Sequence, residues 1–123
     1  MSNELARRAV ACKHWRWLPG MRERATGWRW SGTAYISQER YPESGNCIAG
    51  VPEPLPDLSD PCSLGGLLAL VREAWGCDGL TCQPLLTEGG VHGWLVYMDA
   101  NRRTREIAAT EAEALVAALE AAP

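Results

Sequence analysis

Five cysteines and two histidines are the residues of this 123-residue chain best suited to nucleophilic or metal chemistry. Their spacing argues against both. Cys12 and His14 lie two positions apart and Cys77 and Cys82 five, so a tetrahedral zinc site would have to draw a pair from each half of the chain or recruit His92. Cys77-Asp78-Gly79-Leu80-Thr81-Cys82 stands at the outer limit of a metal knuckle and has no recognised partner pair, which favours small buried hydrophobes. A Cys-His catalytic pair would also need an orienting acid, and no motif brings the three together. Gly65-Gly66 and Gly89-Gly90 lack the strand-to-helix setting and the following Lys-Ser/Thr or third glycine of a phosphate loop; close helix packing and a hairpin turn are the roles expected of them. No catalytic residue, metal or cofactor is therefore assigned.

The remaining chemistry is recognition. His14-Trp15-Arg16-Trp17 is echoed by Gly27-Trp28-Arg29-Trp30. In a strand, alternate side chains share a face, so each tryptophan pair would lie on one side and its arginine on the other. The turn signal Leu18-Pro19-Gly20 between the two segments predicts that they pair antiparallel and that Trp15, Trp17, Trp28 and Trp30 pack together. Arg16 and Arg29 would then be presented outward. Together with the clusters Arg22, Arg24 and Arg102, Arg103, Arg105 they form the candidate interaction surface. A tryptophan-arginine surface can stack bases and hold phosphates, but aromatic strand residues more often form core, and a core is expected here. Charge is divided: residues 1–46 carry eight basic against four acidic residues, and residues 47–123 four against eleven. That split leaves no continuous basic footprint, and nucleic acid is not the expected partner.

These residues must be positioned by elements whose start and stop signals are explicit in the second half. Asp60-Pro61 supplies an N-cap oxygen and a residue suited to the first helical turn, while Gly76 can close the helix in a left-handed conformation. The spacing of Leu64, Leu67, Leu68, Val71 and Trp75 predicts a helix over 61–75 lying on a sheet by that stripe. Thr110-Glu111-Ala112-Glu113 reads as a capping box opening a second helix that runs to about Ala121, with Ala112, Leu115, Val116 and Leu119 on its apolar face. Between them, strands are expected at Leu80 to Leu86, with Pro84 suiting an edge or a bulge, at Trp94 to Met98, and at Arg103 to Ala108. Turns at Glu88-Gly89-Gly90 and Asp99-Ala100-Asn101 would connect them. The first half is less regular: a short helix capped by Ser2 with Leu5, Ala6, Ala9 and Val10 on one face, a strand over Thr33 to Ser37, and a proline- and glycine-rich connector from Gln38 to Ser59.

These readings give a single α+β domain over residues 1–123. An antiparallel sheet of three to five strands is packed against helices, with a helix and Trp-rich hairpin over 1–46, a connector over 47–59 and an α-β-β-β-α core over 60–123. A chain of this size buries roughly two-thirds of its unfolded surface and folds without staples, so the odd number of cysteines reads as reduced thiols. The longest apolar run, Leu67 to Val71, is far too short to cross a bilayer, and Ser2-Asn3-Glu4 does not open like a secretory leader. The expected location is the cytoplasm.

The element order helix-strand-strand-strand-helix is that of double-stranded-RNA-binding domains. That family carries lysines at the start of its last helix, where this chain has Glu111 and Glu113, anions that oppose a phosphate backbone. A closer resemblance lies in four blocks. They are Ala6-Arg7-Arg8-Ala9-Val10-Ala11-Cys12-Lys13 with Trp15 and Trp17, Leu55-Pro56-Asp57-Leu58-Ser59-Asp60-Pro61, the stretch from Leu64-Gly65-Gly66-Leu67 to Glu73-Ala74-Trp75, and Thr110-Glu111-Ala112-Glu113-Ala114-Leu115. They lie at both ends and in the middle of the chain, excluding Met21 to Gly50 and the hairpin. In these blocks the chain resembles small phage- and prophage-encoded proteins similar to the phage αβα-sandwich domain family. The resemblance carries no functional residues; it implies an accessory gene product acting on host machinery.

The function expected on these grounds is a non-catalytic protein-interaction module of phage or prophage type, including an inhibitor of a host defence complex, in the cytoplasm of an infected or lysogenic bacterium. Its partner would be a host or phage protein. The alternative is a small-ligand or nucleotide binder with a tryptophan-lined pocket and Arg16 or Arg29 as anion partners.

Overall fold

A computed structural model describes residues 3–27, 29–31, 35–36, 54–99, 102–104 and 107–123. Helix α1 (Glu4–Ala11) is followed by a two-residue antiparallel pair, β1 (Arg29–Trp30) with β2 (Tyr35–Ile36). Helix α2 (Pro61–Trp75) leads into the antiparallel strands β3 (Thr81–Thr87), β4 (Gly90–Asp99) and β5 (Arg102–Arg103), and helix α3 (Glu111–Ala121) ends the chain. The fold is α+β.

The end signals of α2 act as their chemistry dictates. Asp60 holds extended backbone and accepts the Ser63 amide on its carboxylate at 3.0 Å, Pro61 occupies the first turn, and Gly76 at φ +62 returns its amide to Arg72 and Glu73. Thr110 caps α3 through Oγ1, which accepts the Glu113 amide at 3.1 Å. The reciprocal half of the capping box is shifted by one residue: the Glu113 carboxylate accepts the amide of Ala109 rather than that of Thr110. The start of α1 differs from the sequence reading. Ser2 lies outside the described residues, and Asn3 occupies the cap position without a side-chain cap hydrogen bond.

Helix α3 is the centre of the core. Ala112, Ala114, Leu115, Val116, Ala118 and Leu119 are all buried, and a narrow stripe of Glu113, Ala117, Glu120 and Ala121 remains exposed. One side of α3 lies on β3 and β4, and others receive α1 and α2. Helix α2 thus leans on α3 rather than lying on the sheet as the apolar stripe predicts. The alanines of α3 admit close approach of a second helix, and Trp75 fixes the pairing by donating its indole N–H to the Ala118 carbonyl at 2.8 Å. The buried face of α2 is accordingly rotated onto Ser63, Leu67, Leu70 and Val71, with Leu64, Leu68 and Trp75 half-buried on its flanks. Each fully buried leucine contributes roughly 1.5–3 kcal/mol. Met21 is buried over α2, where a Cβ on Gly66 would stand 2.6 Å from the methionine methyl, so this glycine serves close packing as its sequence setting predicts.

Strand β4 is central, paired with β3 in the register Cys82↔Val96 and Pro84↔Trp94, and with β5 on its other side. Pro84 lies on an outer strand, where its missing donor costs least. A bulge places His92 as the extra residue between the pairs Leu86↔Val91 and Leu85↔Gly93. Beyond β5 the chain stays against β4: Thr104 donates to Val96, and Trp94 and Ala108 exchange both backbone hydrogen bonds. Gly93 lies under this return segment, and a Cβ there would meet the Ala108 carbonyl oxygen at 2.9 Å. Residues 105–106 of the expected third strand and 100–101 of the expected turn lie outside the described residues.

The tryptophan hairpin is overturned. Trp15 and Trp17 are in irregular backbone after α1 and meet edge-to-face at 5.6 Å, packed against the core. The strand containing Arg29 and Trp30 pairs instead with Met21-Arg22 on one side and β2 on the other. The reason is the turn from Glu23 to Gly27: Gly27 at φ +71 reverses the chain, and Trp30 bonds to Met21 and Gly20 before it can reach Trp17. Trp28, residue 32, residues 33–34 and 37 of the expected strand and residues 38–53 of the connector lie outside the described residues.

Candidate functional site

The end of the connector is ordered against the core. Glu23, 1% exposed, accepts the Thr26 amide at 2.8 Å and the Thr26 hydroxyl at 3.1 Å on one carboxylate oxygen, and the Leu55 amide at 3.1 Å on the other. A buried carboxylate is tolerated only when its oxygens are so satisfied. Backbone bonds from Arg24 to Leu55 and from Asp57 to Arg22 extend the clamp, and Leu55 and Pro56 are buried beneath it. Three residues on, Asp60 takes a bidentate pair from Arg29 at 2.8 and 2.9 Å while capping α2. The hydrogen bonds from Arg29, aided by those from Ser63, outweigh burial and hold the Asp60 carboxyl at about 2.

Segment 54–60, pinned in this way, forms one wall of a cleft of about 580 Å³. Its other walls are Leu5 and Ala6 of α1, Leu64 of α2, Trp94 of β4 and the first turn of α3 from Ala109 to Glu113. The buried members, Ala6, Pro56 and Ala112, are apolar, and Leu5, Leu58, Leu64 and Trp94 are half-buried. Arg24, Ser59, Thr110 and Glu113 are exposed, so an apolar interior is surrounded by a largely polar margin. Recognition sites commonly combine an apolar interior with a polar margin in this way.

No protein-family model, curated protein or solved structure matches the chain. The site must therefore be read from its own chemistry.

The predicted arginine surface is largely committed to internal contacts. Arg16 is exposed but bound bidentate to Glu73 at 2.7 Å, which lowers the Glu73 carboxyl. Arg22 donates to the Gly27 carbonyl at 3.2 Å and lies 4.0 Å from Asp57, and Arg29 holds Asp60 and the Gly20 carbonyl. Arg22 and Arg29 do come together across a backbone bridge, and Arg24 reaches the cleft margin. Arg103 is exposed on β5 with its guanidinium on the Thr104 carbonyl, while Arg102 is opposite Asp99 in the strand register and Arg105 lies outside the described residues.

The thiols are separated in the same way. Cys12 donates to Leu119, Cys77 to Met98 and Cys82 weakly to Glu111, three carbonyls at different places in the core. Burial, with the charge of Glu111, pushes the Cys82 thiol up to about 11, and Cys62 is exposed in the first turn of α2. Among the described residues no three His, Cys, Asp or Glu side chains are grouped to hold a metal ion. His14 bonds the Pro123 carbonyl at 2.9 Å, and His92 is exposed at the bulge. No described helix is long and apolar enough to cross a membrane.

The sequence reading missed Glu23 and Trp94. A lone glutamate between arginines carries no local signal of burial, and Trp94 reads only as a strand residue. Leu55-Pro56-Asp57-Leu58-Ser59-Asp60, an apolar-acidic run inside a proline-rich stretch, was the available clue to an ordered wall.

Proposed function

We propose that this protein is a non-catalytic protein-interaction module whose docking site is the cleft between α1, segment 54–60 and the start of α3. The single observation that carries the reading is the apolar interior with a polar margin, held open by two ion-pair and carboxylate clamps that fix its wall before any partner arrives. The arginines favoured by sequence are mostly paired within the molecule and serve folding. The likeness of four sequence blocks to phage and prophage accessory proteins supports the wider context: a protein acting in the cytoplasm of an infected or lysogenic bacterium on a host or phage protein, an inhibitor of a host defence complex among the candidates.

The test is affinity capture from bacterial lysate with the parent chain, Leu58→Asp and Arg16→Glu in parallel. Leu58 lines the cleft and Arg16 does not. A partner retained by Arg16→Glu and lost by Leu58→Asp supports the cleft, with melting curves confirming that both variants fold. The reverse pattern returns the interaction to the arginine surface. A second reading, small-ligand binding, is favoured by the volume, which falls in the range of such sites, and by Trp94 on the wall. Native mass spectrometry finding a retained small molecule would support it.

A further inference from the structure

The cleft has a charge asymmetry that specifies its occupant, an inference that rests on the docking reading above. Four ionisable residues line it: Arg24, Asp57, Glu111 and Glu113. Arg24 is already engaged in an interaction of its own. Asp57 accepts the amide and hydroxyl of Ser59 and lies 4.0 Å from Arg22. Glu113 accepts the Ala109 amide and feels Arg8, whose guanidinium is bound to Glu120. Glu111 differs. It is half-buried on the wall, and among the described residues its carboxylate has no ion pair or hydrogen bond. The amides of the α3 N-terminus favour an anion there, but no cationic side chain among the described residues pairs with Glu111.

The geometry points to a partner segment that inserts an apolar side chain between Leu64, Leu58 and Trp94 and sets a single Lys or Arg against Glu111. The apolar interior supplies contact area, and a charge-assisted hydrogen bond to a half-buried carboxylate supplies orientation. A protein segment suits the site better than a small polar ligand, because the polar groups stand at the margin, where they read flanking residues. Nucleic acid is disfavoured by the same carboxylate.

A displayed library of random short peptides, panned on the full-length chain, tests this. The expected enrichment is a consensus of one large apolar residue with a Lys or Arg close by. Binding of the enriched peptide is expected to fall about tenfold with Glu111→Gln, a change that keeps side-chain size, and to fall equally when the peptide's basic residue becomes Gln, without further loss when the two changes are combined. Leu58→Asp and Leu64→Glu, each checked by melting, are expected to abolish binding. Enriched peptides without a basic residue, or affinity indifferent to Glu111→Gln while Leu58→Asp still abolishes it, would overturn the charge inference and leave the cleft reading standing. Absence of enrichment, or panning blocked by a small molecule that native mass spectrometry detects on the purified chain, would overturn the proposal, and in the latter case favour the small-ligand reading.

Discussion

Replacing Asp60 by asparagine isolates the ion pair that ties the first half of the chain to α2. Asparagine is as good an N-cap as aspartate and mimics its protonated form, so the Ser63 amide stays satisfied while the charge opposite Arg29 is removed. The side chains are 6% and 25% exposed, shielded enough for the pair to contribute measurably. A carboxyl lowered from 3.8 to about 2 is worth roughly 2 kcal/mol at neutral pH, from 1.36 kcal/mol per unit. Because the folded value lies below the unfolded one, this stability is full above about pH 4 and is lost as pH falls through 2. Urea unfolding of the parent and Asp60→Asn at a series of pH values should therefore show a gap of roughly 2 kcal/mol at pH 7 that narrows below 4 and is largely gone near 2. A gap that stays constant with pH would refute the ion-pair account, because it would then reflect packing or the cap. A variant as stable as the parent at pH 7 would mean that desolvation cancels the pair.

Gly93→Ala should destabilise by roughly 1–3 kcal/mol, since the new methyl meets Ile107 and the Ala108 carbonyl; a melting temperature unchanged from the parent would mean that segment 107–108 does not cover β4. Leu115→Ala should cost about 2–5 kcal/mol in chemical denaturation, and a near-neutral result would remove α3 from the centre of the core. Thr110→Ala should cost about 1 kcal/mol through the lost bond to the Glu113 amide, with no change if the helix starts elsewhere. Iodoacetamide with mass spectrometry under native conditions should label Cys62 well before Cys82, whose thiol is half-buried and raised to about 11; equal rates would contradict the packing of β3 on α3.

Much of the second half was legible because its signals are local. Asp60-Pro61, Gly76, Thr110 and Pro84 each act within a few residues on their own backbone, and each does in the structure what its chemistry predicts. The exceptions are tertiary. The stripe on α2 identified an apolar face but not its neighbour, since a helix of alanines and a sheet both satisfy leucines, and Leu70 entered the core in place of Leu64 and Leu68. In the first half the tryptophan echo suggested a hairpin because alternation is a valid strand signal. The chain reverses at Gly27 instead, and Trp30 donates its amide to the Met21 carbonyl and accepts the Gly20 amide on its own carbonyl, a choice made by turn geometry rather than by side-chain pattern.

The candidate site was the least legible part, for a reason that bears on how it works. Its wall is held by residues far apart in sequence: Glu23 with Leu55, Arg29 with Asp60. No motif signals either pairing, because each of these residues meets a partner that only the folded chain supplies. Two of the arginines that sequence alone assigns to recognition, Arg22 and Arg29, are thus used by the fold to pin the wall, and on the proposed reading recognition falls to the half-buried apolar lining of Leu58, Leu64 and Trp94. Holding segment 54–60 in place before binding removes the entropy of ordering it from the cost of association, an ordering cost of roughly 1–2 kcal/mol per backbone residue. Loss of either clamp should consequently weaken partner binding even though neither Glu23 nor Arg29 lines the cleft.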